Sequence, residues 1–114
     1  MDFLLAYSEF ITESKEGEAL EVFAAARLAG ASKIAAAAKE KGGPAMLTYH
    51  HFIVKLPYYN KVVMGKFNKE EADAEYKKLL EELTADKLTQ TQFQKVVGKI
   101  EVLGELLIKY NEIH

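Results

Sequence analysis

Apolar residues return at helical intervals along most of the chain. Phe3, Leu4, Tyr7, Phe10 and Ile11 form a first short run, and their spacing predicts a helix over 3–11. Thr12, Ser14 and Gly17 interrupt it. A long helix is predicted over 18–41, with Leu20, Phe23, Ala24, Leu28, Ala31 and Ile34 as its apolar stripe. Alanine dominates this stretch; it is the best helix former and leaves little bulk, so another helix can approach closely there. Gly42, Gly43 and Pro44 end it, because glycine tolerates left-handed geometry and proline cannot continue the ladder.

The segment 45–67 admits two patterns. As helix, Ala45, Met46, Tyr49, Phe52, Ile53 and Leu56 share one face, and Pro57 opens a second short helix to about residue 64. As strand, 52–56 and 61–67 flank a Pro-Tyr-Tyr-Asn turn. A lone hairpin is marginal in water, so the helical pattern is preferred. Asn68 then caps a helix carrying Ala72, Tyr76, Leu79, Leu80 and Leu83, with Glu70 and Glu71 at its positive end. After a loop over 85–88, Thr89 caps the last helix. Its stripe of Phe93, Val96, Val97, Ile100, Leu103, Leu107 and Tyr110 is the strongest pattern in the chain. Ile100 and Leu107, two turns apart on it, are expected to be deeply buried. Val102, Leu106, Ile108 and Ile113 flank that stripe, a breadth that fits burial on more than one side. The fold class predicted is all-α: one domain over 1–114, a compact bundle of four to six helices with a short irregular middle segment.

Composition narrows the function. With 49% hydrophobic residues in 114, the chain fills one core, and no apolar run approaches the roughly 20 residues that span a membrane. Asp2 stands where a signal peptide needs basic residues, and Glu9 and Glu13 interrupt the apolar run after it. The expectation is a cytoplasmic protein. The absence of cysteine removes disulfides, thiolate nucleophiles and cysteine-metal sites. Net charge is −2, so no global field steers the chain toward nucleic acid. Locally, 42–69 has no acid but carries Lys55, Lys61, Lys66 and Lys69.

Candidate chemistry is sparse. His50 and His51 are adjacent, and neighbours on a helix point about 100° apart, so they cannot readily share a metal. An edge-of-core ring and a solvated one account for them. The serines Ser8, Ser14 and Ser32 lie in no nucleophile elbow, and no glycine pattern cradles phosphate. No catalytic residue, cofactor or metal is predicted. The basic-aromatic segment 49–69 is more informative, since bases stack on exposed rings while lysine neutralises phosphate. Within it, Tyr58, Tyr59, Lys61 and Lys66 are the predicted partner-binding residues: no acid lies in the stretch to pair with the lysines, and Pro57 breaks the chain at what is expected to be the surface.

Ser8-Glu9-Phe10-Ile11-Thr12-Glu13 resembles the opening of small accessory proteins of large tailed bacteriophages. In those proteins such a segment directs the chain into the prohead, where a protease cuts after the Glu of a Leu/Ile-x-Glu triplet. Ile11-Thr12-Glu13 has that form, as do Leu79-Leu80-Glu81, Leu80-Glu81-Glu82 and Leu103-Gly104-Glu105. The resemblance implies a phage-encoded protein working in the host cytoplasm on a host or virion component.

Taken together, the residues predict a non-catalytic protein-interaction module. The alternative is a nucleic-acid-binding accessory protein using 49–69, and behind it an enzyme with a dispersed site. A homodimer is a further expectation, from the apolar breadth of the last helix. An exposed apolar groove favours a protein partner, a broad basic surface over 58–69 favours nucleic acid, and a deep polar pocket favours an enzyme.

Overall fold

The computed structural model describes residues 16–85 and 87–114, with side chains from residue 19 onward. The helix expected over 3–11 and the phage-like segment 8–13 lie outside them. The described residues are all-α: α1 (Glu16–Lys41), a 3-10 turn (Gly43–Ala45), α2 (Met46–Ile53), α3 (Leu56–Val63), α4 (Lys69–Thr84) and α5 (Gln90–Ile113).

Local chemistry explains each boundary. Gly42 takes φ 69° and Gly43 φ 55°, the left-handed region that glycine enters at little cost, and Gly42 N–H donates to the carbonyl of Ala38 at 3.0 Å. The middle segment is helical, not a hairpin. Pro57 lacks the N–H that would continue the α2 ladder, so the chain bends at Val54–Lys55 and restarts as α3 with proline in its first turn. α3 closes with Gly65 at φ 73°. There Lys66 N–H reaches the Lys61 carbonyl at 2.9 Å and Gly65 N–H the Val62 carbonyl at 2.9 Å, the paired bonds of a Schellman ending. The Asn68 side chain accepts from Glu71 N–H at 2.9 Å. Thr89 and Gln92 form a reciprocal capping box at 3.1 and 3.0 Å.

Two apolar clusters meet at α5. One gathers Leu20, Ala24 and Ala31 of α1, Tyr59 and Val62 of α3, and Val102 and Leu106 of α5. The other joins Ala72 and Leu79 of α4 to Val96, Leu103 and Leu107. α5 is thus buried on two sides, as its breadth predicts. Three expectations need correction. Ile100 is only partly buried, because it lies toward a third side of α5 that no described helix covers. Phe93, expected on the buried stripe, is exposed for the same reason. Ile34 is exposed as well; the buried face of α1 continues through Ala35 and Ala38, where the small side chain permits close packing. The principal extents are 56 × 32 × 18 Å, and 18 Å is less than two helix diameters.

Candidate functional site

The four predicted contact residues part company in the fold. Consecutive residues on a helix diverge by about 100°, so Tyr58 and Tyr59 of α3 face different neighbours. Tyr58 is half-buried and turns to α4, where its hydroxyl donates to Glu75. Tyr59 is 4% exposed and lies in the core beneath α5, its hydroxyl donating to Glu105. The expectation of a solvent-facing Tyr59 is therefore wrong: its ring fills the space between α1 and α5. Burial, and then the bonded carboxylate, push both tyrosine hydroxyls well above their ordinary range. Lys61 is exposed and stands 3.3 Å from Glu71 of α4. Lys66 is exposed beyond the end of α3.

Tyr58 and Lys61 are brought together, one turn apart, on the rim of a pocket of about 140 Å³ between α3, α4 and α5. Phe67, Ala72, Leu103 and Leu106 make its apolar lining, and Glu71 and Glu75 complete the polar rim. Asn68 also lines it, so the residue that starts α4 sets one edge of the opening. Tyr59 and Lys66 do not line this pocket.

Behind it lies a polar ladder that the local sequence does not announce. Lys55, buried to 9% exposure, donates to Glu101 at 2.8 Å, and His51 meets the same oxygen at 2.9 Å through Nε2. One turn along, Tyr59 meets Glu105, which also faces Arg27 Nε at 3.5 Å. Lys55, the residue that caps α3, and Tyr59 within it are four apart; Glu101 and Glu105 are four apart on α5. The two rungs hold α3 and α5 in one register. Burial tends to raise the Glu101 carboxyl, but the bonds from Lys55 and His51 outweigh it and hold the group below its usual value. The expectation that the lysines of 42–69 lack acidic partners is overturned for Lys55, Lys61 and Lys69, whose partners come from α4 and α5. The i, i+4 carboxylates Glu101 and Glu105 inside the otherwise apolar stretch 100–108 of α5 were the available signal. Among the described residues, no group of three or more potential ligands is arranged to hold a metal ion, and no helix is long and apolar enough to cross a membrane. No family model, curated protein or solved structure matches the chain.

Proposed function

We propose that the protein is a non-catalytic interaction module that holds one apolar side chain of a protein partner in the pocket beneath Tyr58 and Lys61. The observation that carries this reading is the pocket itself: an apolar lining from Phe67, Ala72, Leu103 and Leu106 under a hydrogen-bonding rim. Its size, about 140 Å³, is close to the roughly 150 Å³ of an apolar cavity that takes benzene, so a leucine or phenylalanine side chain suits it. A buried apolar anchor within a polar rim is the usual layout of an interface hot spot. The carboxylates around it, Glu75 and Glu71, are engaged by Tyr58 and Lys61, which supports positioning over proton transfer. The nucleic-acid alternative has less in its favour, because Tyr59 is buried and Lys55 and Lys61 face carboxylates. The resemblance of residues 8–13 supports placing the partner among host or virion proteins of a large tailed phage; virion genes beside its own would favour the latter.

The test is titration with N-acetyl-leucinamide, followed by the methyl resonances. Shifts concentrated on Ala72, Leu103 and Leu106 are expected, weakened by Ala72→Leu, which fills the pocket. Ala72→Leu must first be shown to retain the wild-type amide spectrum. Shifts spread over the surface, or confined to other methyl groups, would sink the reading.

A further inference from the structure

Helix α5 is apolar on three sides, and the described helices cover two. The third carries Phe93, Val97, Ile100, Gly104 and Ile108, which at about 100° per residue share an arc of about 80°. Ile108 is 63% exposed and Phe93 44%. Ile100, Gly104 and Ile108 floor an open groove of about 520 Å³, with Phe23 of α1 and Tyr76 of α4 as its walls. At its centre the floor is bare backbone: among the described residues, a Cβ on Gly104 would meet only the Tyr76 ring, at 3.5 Å. Glycine inside a helix costs about 1 kcal/mol against alanine, and here only the Tyr76 ring borders the space it leaves. Such a gap lets a second backbone come close.

The groove is also charged unequally. Glu101, Glu105 and Glu112 lie along one edge of it, and Lys109 is the one cation lining it among the described residues. Each glutamate has a basic neighbour (Lys55 and His51 at Glu101, Arg27 at Glu105, Lys109 at Glu112), yet the three side chains remain 51%, 31% and 61% exposed. We infer that this groove receives an amphipathic helix of a protein partner, apolar on the face that meets Ile100, Gly104 and Ile108, and rich in lysine or arginine along the edge that meets the three glutamates. Helix-in-groove recognition uses this layout of apolar anchors at i, i+3, i+4 and i+7. A second copy of the chain fits less well. In an antiparallel two-fold pairing of α5 with itself the same edge lies on both sides of the seam, so the glutamates would face glutamates. The groove is separate from the pocket at Tyr58, and the inference does not rest on that pocket.

The probe is a fluorescein-labelled 18-residue helix of leucine and lysine, with leucines at the i, i+3, i+4, i+7 positions (roughly 27 Å long), and a counterpart with glutamate for lysine. Anisotropy titration of the full chain should show binding of the lysine peptide and much weaker binding of the glutamate peptide. Ile108→Asn, at an exposed position, should weaken the lysine peptide about tenfold, the scale expected for losing an apolar anchor. Glu112→Lys should weaken it several-fold, more so at low salt. Lys61→Glu, at the other site, should leave it unchanged. Equal affinity for both peptides, or for wild type and Ile108→Asn, overturns the inference. So does a dimer by light scattering that Ile108→Asn splits into monomers, since the groove would then belong to a second copy.

Discussion

Helices α2 and α5 cross at Gly98, and adding one methyl group there tests the packing. A Cβ at this position would lie 2.8 Å from Val54 Cγ2 and closer still to the backbone oxygen of His51. Real Cβ atoms essentially never approach within 3.0 Å, and a backbone carbonyl cannot swing aside as a side-chain tip can. Gly98→Ala must therefore push the two helices apart by roughly an ångström, and a gap of that size forfeits a quarter to a half of the dispersion attraction along the seam. Overpacking of this kind costs about 1–3 kcal/mol or more, against a gain of about 1 kcal/mol in helix propensity. Because the clash is with a backbone oxygen, the upper half of that range applies and a net loss of about 1–2 kcal/mol is expected, which for a domain of this size lowers Tm by roughly 5–10 °C. Gly30, in α1, is the matched control. A Cβ there meets nothing within 4 Å, so Gly30→Ala should keep the propensity gain and raise Tm by a few degrees. Thermal and urea unfolding followed by circular dichroism reads both. The crossing is wrong if Gly98→Ala matches or exceeds wild type, and the propensity argument is wrong if Gly30→Ala falls with it.

Burial and charge give two more tests. Leu106→Ala, at one of the most buried side chains, should cost about 2–5 kcal/mol, and Ile100→Ala clearly less, because Ile100 borders the open groove; equal shifts in urea midpoint would refute the assigned faces. The tyrosines give an alkaline test. A hydroxyl held above its unfolded value contributes its stability in full below about pH 10 and loses it as pH rises through the folded value. Tyr58 and Tyr59 should thus stay protonated well above the ordinary tyrosine range in an ultraviolet titration, and Tyr59→Phe should remove one late step. Ionisation of Tyr58 and Tyr59 near pH 10, with the fold intact, would count against both hydrogen bonds.

Where local chemistry decides structure, the sequence was legible. Asn68 and Thr89 cap helices because their side chains reach N–H groups three residues on. Gly42–Pro44 and Pro57 break the chain through their own backbone limits. The phase of α1 was harder to read. Nearly every side of that helix carries alanine, so size drew the expected stripe to Ile34, whereas close packing selects Ala35 and Ala38. Tyr59 and Lys55 were misjudged for a different reason. Their partners Glu105 and Glu101 lie 46 residues away, and no window along the chain connects them. Of the predicted site, Tyr58 and Lys61 line one pocket because they are one turn apart and both face α4. Gly98 gave only a weak cue, an isolated glycine in a helical pattern, and its reason is the passing carbonyl of His51.

The sharing of α5 between two clusters has a consequence for cooperativity. Val102 and Leu106 serve one cluster, Val96, Leu103 and Leu107 the other, and the rings of Tyr58 and Phe67 touch both. α4 packs chiefly on α5, so it can open and take the second cluster with it while α1, α2 and α3 stay closed around Val102 and Leu106. Amide exchange in the native protein should then fall into two tiers. The α4 amides exchange through this partial opening, with a lower free energy and a smaller dependence on denaturant than global unfolding, since less surface is exposed. The central amides of α5 wait for the whole chain to unfold.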